Sequence, residues 1–259
     1  MKIEHLLLIP DKKNIEDSLK LADAYGCGFE YNDFFRPDNL DRKEWVQDTI
    51  SFYQNLKNKP GYCTLHGAFF DVTVFSDDSK IRQASDYRVE QSLKIAGELG
   101  AAGVVFHTNY IPNFLQEAYR NGWVEKNAQY WAKKAAAYPH LNIYMENMFD
   151  TDFRLLAALG AKMQSIPNFG ICFDYAHAHA FGEVWQIEEW VKALAPFVRH
   201  IHINDNDFMS DSHLALGDGK IKWDEFKKYY EKYFSKASVL IEVTGEEKIK
   251  KSLDYLMRL

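Results

Sequence analysis

The residues best suited to chemistry in this chain stand at the ends of short apolar runs. Residues 171–173 read as a buried strand that ends in Asp174, and His177 follows three residues later, where the chain is expected to turn out of the strand into a loop. A carboxylate at a strand end with an imidazole just beyond it suits a divalent metal. The arrangement recurs. Glu30, His66, His107, Glu146, His202 and Glu242 stand at or near the ends of six further apolar runs, and Asp211 and His213 lie in the polar loop after His202. Imidazoles mixed with carboxylates suit zinc, manganese or iron better than calcium or magnesium. The three cysteines, Cys27, Cys63 and Cys172, are far apart and form no CxxC pair, so neither a disulfide framework nor a thiolate zinc site is expected.

Eight βα units position these residues. Strands are predicted at 3–9, 27–31, 62–66, 103–107, 141–146, 171–174, 199–204 and 238–243, each followed by a helical pattern. Ile15, Leu19 and Ala22 share one helix face, as do Val89, Leu93 and Ala96, and Gly100 is placed to cap the long helix that starts near Lys80. Near-continuous apolar strands alternating with helices imply a parallel sheet covered by helices, and eight is the number that closes a barrel. An open doubly wound sheet usually carries a glycine-rich phosphate loop after its first strand; residues 9–14 here contain no glycine. The expectation is one α/β domain over 1–259, a (β/α)8 barrel with its site at the C-terminal strand ends.

Strand parity sets which residues face inward. Leu240 and Glu242 share a face opposite Val239, Ile241 and Val243; Cys172 and Asp174 oppose Ile171 and Phe173; His200 and His202 oppose Ile201 and Ile203. The branched apolar face suits the helix layer, so the polar face points into the barrel. Burying that many polar groups is costly unless something pairs them, and a divalent cation does so. A single strand-end His or Asp is more often a hydrogen-bonded structural residue; seven consecutive strands ending this way are not so explained. Asp211 lies among turn formers, and Glu30 reads equally as a rim ion-pair partner.

The 259 residues are 47% hydrophobic and 26% charged, with formal net charge -6. That acidic balance gives no support to broad nucleic-acid binding. The N-terminal apolar run is too short for a signal-peptide core, and no run is long enough to span a bilayer. A soluble cytoplasmic protein with no membrane partner is expected. Trp123, Trp131 and Trp185 read either as paving for a homo-oligomer contact or as helix-to-barrel packing.

The chain resembles the xylose isomerase-like barrel superfamily of sugar isomerases, ketose epimerases, inosose dehydratases and endonuclease IV. The resemblance is carried by Leu65-His66-Gly67-Ala68, Val105-Phe106-His107, Tyr144-Met145-Glu146-Asn147, Cys172 to His177, His200 to Asp205, Asp211-Ser212-His213 and Leu240-Ile241-Glu242. It implies two ligand sets. Epimerase-like members hold one metal with residues matching Glu146, Asp174, His202 and Glu242. Endonuclease IV holds three zinc ions with nine ligands, matched here by His66, His107, Glu146, Asp174, His177, His202, Asp211, His213 and Glu242.

The loops pull the other way. The segment 30–36 after the second strand carries two acids and three aromatics where the nuclease has a basic, DNA-entering loop, and residues 204–219 contain no Lys or Arg. Acids and aromatics at a barrel mouth suit a sugar, with Glu30 and Phe69 as candidate substrate contacts. The leading expectation is therefore a zinc- or manganese-dependent isomerase or epimerase of a small sugar, sugar phosphate or cyclitol. Glu146 and Glu242 would act as acid and base through an enediolate, with His177 bonding a substrate oxygen. The alternative is an endonuclease IV-like hydrolase of abasic DNA or a smaller phosphoester, and a third reading is a catalytically silent sugar- or metal-binding barrel.

Overall fold

The computed structural model describes residues 1–182 and 186–259. Eight parallel strands pair in chain order: β1 (Leu6–Leu8), β2 (Gly28–Tyr31), β3 (Cys63–His66), β4 (Gly103–His107), β5 (Asn142–Glu146), β6 (Phe169–Asp174), β7 (Val198–Ile203) and β8 (Ser238–Ile241). β8 pairs with β1, Leu7 beside Leu240, so the sheet closes on itself. The architecture is the expected (β/α)8 barrel.

The covering helices are α1 (Ile15–Tyr25), α2 (Pro37–Leu40), α3 (Lys43–Gln54), α4 (Ser79–Leu99), α5 (Glu117–Ala137), α6 (Arg154–Lys162), α7 (Tyr175–Phe181), α8 (Ile187–Leu194), α9 (Trp223–Tyr229) and α10 (Glu246–Arg258). Local chemistry sets their ends. Asp78 caps α4 by accepting from Lys80 N, and Gly100, at φ +69°, closes it with its N–H on the Ala96 carbonyl. β1 is shorter than the predicted 3–9 run. The short helices α2 and α7 span about one and two turns, too little for a repeating apolar face to show in the sequence.

Strand parity holds around the barrel. Leu8, Phe29, Leu65, Ile143, Ile171, Ile201 and Ile241 join the buried cluster shared with helix residues such as Val89, Leu93, Leu156 and Leu253. Val105, Tyr144 and Cys172 form a separate buried cluster that does not join the helix layer. Trp123 and Trp131 are almost wholly buried in the helix layer, which rules them out as paving for a subunit contact. Trp185 lies outside the described residues. All three cysteines are free and buried. Among the described residues no helix is long and apolar enough to cross a membrane.

Candidate metal centre

The nine candidate ligands converge at the C-terminal mouth of the barrel. Three groups there, among the described residues, lie close enough to share an ion: His66 with His107 and Glu146; Glu146 with Asp174, His202 and Glu242; and His177 with Asp211 and His213. Glu146 belongs to two of them. It ends β5 fully buried, with Oε2 3.3 Å from His107 Nε2 and 3.8 Å from His66 Nε2, and Oε1 3.4 Å from His202 Nδ1.

The third group is delivered by two devices that the strand pattern does not show. Asp174 is the N-cap of α7, its Oδ1 accepting from His177 N at 2.6 Å, so His177 sits in a helical first turn and not in a loop. Asp205 and Leu214 exchange backbone hydrogen bonds of 2.9 Å, folding the segment between them back over the mouth. Within it His213 adopts φ +43°, a left-handed conformation uncommon outside glycine. It is held there by His213 Nδ1 at 2.7 Å from the Glu242 carbonyl.

Two other imidazoles are anchored the same way, each by its Nδ1. His177 Nδ1 lies 2.9 Å from the Asn147 carbonyl and His66 Nδ1 3.1 Å from the Gly67 carbonyl. With an N–H donated to each carbonyl, Nε2 is the nitrogen left for a cation, the usual outer support of a metal-ligating histidine. His177 Nε2 is then 3.3 Å from Asp211 Oδ2, and His213 Nε2 is 3.0 Å from the same oxygen.

The polar atoms fit divalent ions. Both Glu146 oxygens, Asp174 Oδ2, His177 Nε2, His202 Nδ1, Asp211 Oδ1 and Glu242 Oε2 are buried without a hydrogen-bond partner in the chain. Orphaned buried polar atoms are costly and rare, and these seven are gathered at one mouth, on six of the nine ligands. The electrostatics agree. Burial alone would raise the Glu146 carboxyl, but His202 and His107 outweigh it and hold it well below the usual range. Burial, with the charges of Glu242 and Glu146, pushes Asp174 well up. Against the effect of burial, the surrounding carboxylates hold His177 well above its ordinary value, and Asp211 and Glu242 raise His213 to about 10. In the metal-free chain, protons occupy nitrogens that a cation would take.

Asp205 is the residue on which the third group depends. Fully buried, its carboxylate accepts from Asn206 N, Gly217 N, Ile221 N and Trp223 Nε1 at 2.8–3.1 Å. Asp205→Ala strips four donors of their partner and is expected to cost about 3 kcal/mol of stability. It should also weaken binding at the Asp211–His213 group ahead of the other two. Denaturant unfolding together with metal analysis checks both effects.

Of the two candidate substrate contacts, Phe69 lies at the mouth, its ring 4.5 Å from that of His107 and 5.6 Å from that of His66. Glu30 does not. It is fully buried, pairs in register with Thr64, and contacts His200 and His202 from beneath the ligand groups. The placement of Glu30 at the rim is thus corrected: the barrel stagger sets β2 one layer lower than its strand-end position implied. Asp33 is also taken up, its carboxylate accepting from Tyr53 OH at 2.5 Å, and Phe34 is buried in the core.

Sequence reasoning did not find the cavity beside the ligands. It measures about 1070 Å³ and is lined by Lys12, Asn32, Phe35, Trp45, His213 and Glu242 among others. Lys12 Nζ is fixed there by donation to Thr49 Oγ1 at 2.7 Å and lies 5.3 Å from the Trp45 ring centre. Of the segment 30–36 read as mouth residues, Asn32, Asp33 and Phe35 line it.

Comparison with known proteins agrees with this fold. A "Probable endonuclease 4" of Mycobacterium leprae is 28% identical over 163 residues, which is 58% of this chain and 61% of that protein. The chain spans about three fifths of the length of the curated relatives it matches. Among solved structures, the TTHB071 protein from Thermus thermophilus, soaked with ZnCl2, superposes with a TM-score of 0.76 at 24% identity, covering 99% of this chain and 97% of that one. A D-tagatose 3-epimerase-like protein superposes with a TM-score of 0.74 at 21% identity, covering 99% and 96%. The sequence profile of the xylose isomerase-like TIM barrel family matches residues 21–259, and the chain belongs to that family.

Proposed function

We propose that the chain is a multinuclear divalent-metal hydrolase of small phosphoesters. The observation that carries this reading is the grouping of all nine candidate ligands into three sets, two of which share Glu146. Divalent ions bound there would lower the pKa of a water nucleophile and stabilise negative charge on a phosphoryl group. A Glu146 committed to two ions is not free to take a proton from carbon, which weighs against the enediolate chemistry expected from the loops.

The remaining residues fit a small anionic substrate. Lys12 offers a fixed cation in a cavity that reaches His213 and Glu242 and is also lined by Lys13, Asp11 and Asp33. Phe69 and Phe35 pack their rings beside His66 at the mouth. The acids that opposed a phosphate reading, Glu30 and Asp33, are engaged by His200 and Tyr53. The net charge of -6 remains unfavourable to DNA, whose affinity rests on phosphate contacts. The endonuclease relative and the zinc-soaked neighbour support zinc as the metal to supply.

A second reading keeps the sugar isomerase or epimerase. Glu146, Asp174, His202 and Glu242 alone form a complete four-ligand set, and epimerase-like proteins share the fold. Zinc-loaded protein should hydrolyse bis(4-nitrophenyl) phosphate or members of a phosphomonoester panel, and chelation should abolish turnover. Ketose epimerisation by protein holding one metal, without phosphoester turnover, would select the second reading.

A further inference from the structure

Beneath the ligand groups the barrel interior holds a second polar layer. Glu30 Oε2 accepts from the Thr64 hydroxyl at 2.7 Å and lies 3.0 Å from His200 Nε2, while Oε1 lies 3.2 Å from His202 Nε2. His200 Nδ1 is 2.6 Å from Ser238 Oγ, and the ring lies flat against Tyr144 with centroids 5.2 Å apart. Both nitrogens of His200 are therefore committed within this layer. His202 is divided between layers: Nε2 faces Glu30, and Nδ1 stands 3.4 Å from both Glu146 Oε1 and Glu242 Oε2.

We propose that Glu30 is a positioning residue for the metal centre: its carboxylate charge, with Oε1 3.2 Å from His202 Nε2, favours the proton on that nitrogen and so selects the tautomer whose bare Nδ1 faces Glu146 and Glu242. The inference rests on reading His202 as a ligand and is independent of the reaction class. An imidazole can bind a cation only through the nitrogen that carries no proton, so the partner of the other nitrogen selects which one binds. A carboxylate does this and also raises ligand basicity. Glu30 is suited to the task because its second oxygen is pinned by Thr64 and His200, which stops the carboxylate from turning. All these residues are almost wholly buried, so water does not compete for the contact.

The same atoms pose an alternative. Cys172, His200 and His202 also lie within reach of a single ion. The commitment of both His200 nitrogens, to Ser238 and Glu30, argues for a hydrogen-bonded layer and against a metal there.

The test uses zinc as the probe on the full chain. Long-range ¹⁵N–¹H correlation of zinc-loaded protein, with His202 assigned through a His202→Asn variant, is expected to show the proton on Nε2 and zinc on Nδ1. Glu30→Gln keeps the shape of the side chain and removes the charge; it should weaken zinc binding about 10- to 100-fold in chelator competition. Thr64→Val removes one of the two pins on Glu30 but leaves its charge and both histidine contacts in place, and should weaken zinc binding less than Glu30→Gln. A proton on Nδ1, or a zinc–sulfur signal from Cys172 in X-ray absorption, overturns the inference. So does folded Glu30→Gln protein that binds zinc as tightly as the parent. Failure of the parent protein to bind zinc at all would instead remove the ligand reading on which it rests.

Discussion

Glu146→Gln is expected to reduce bound metal from three ions per chain to one or none and to lower phosphoester turnover at least 100-fold. Glu146 is the one residue shared by two of the three ligand groups. Its oxygens face His66 and His107 on one side and His177 and His202 on the other, at 3.3–3.8 Å. Glutamine has nearly the same volume, so the packing of β5 survives and the loss isolates the charge. A ligand contributes more than the groups that support it, whose removal already costs roughly 10- to 100-fold in affinity or activity. The His177–Asp211–His213 group does not contain Glu146 and would be the one to retain metal. Elemental analysis of the purified variant, with circular dichroism to verify folding, reads the outcome. Parent-like metal content in Glu146→Gln would rule out the shared bridge.

Zinc affinity is expected to rise steeply with pH between about 6 and 9. In the metal-free chain the neighbouring acidic groups, outweighing burial, hold His177 and His202 well above the ordinary histidine range, and His213 is raised to about 10. At neutral pH each keeps a proton that zinc must displace. Every displaced proton makes affinity about tenfold stronger per unit of pH. Stability of the metal-free chain runs the other way. A histidine raised from 6.5 to about 10 contributes its full stabilisation below about 6.5 and loses it as pH climbs through about 10. The difference in Tm between zinc-loaded and metal-free protein should therefore widen with pH, and acidification should release metal. Calorimetry in buffers of different ionisation enthalpy should detect proton release on zinc binding. A Tm difference that stays flat from pH 6 to 9 would mean that these imidazoles are not displaced by the ion.

Much of this site is legible in the sequence because barrel geometry does the assembly. Asp174, His202 and Glu242 are placed by strand parity alone, since alternation sends them inward and closure brings every strand end to one mouth. Asp211 and His213 are different. Their delivery depends on the Asp205–Leu214 backbone pair and a left-handed His213, neither of which leaves a periodic signal, so residue type marked them as candidates and the family resemblance alone implied a full ligand group. Glu30 was misplaced because height within a barrel is set by register: it pairs with Thr64, two residues below His66. The loop argument for a sugar fails in part for a similar reason, since composition cannot say that Asp33 turns to Tyr53 or that Phe34 enters the core. The seven residues of α7 are too few to reveal helical periodicity, so His177 read as a loop residue.

The most direct test of the proposed trinuclear centre is metal content per chain, measured by elemental analysis of protein purified without chelator and then equilibrated with zinc. Three equivalents are predicted, one for each ligand group, falling to two in Asp211→Ala. A single equivalent that survives Asp211→Ala would contradict the trinuclear centre and leave Glu146, Asp174, His202 and Glu242 as a one-metal site of the epimerase kind.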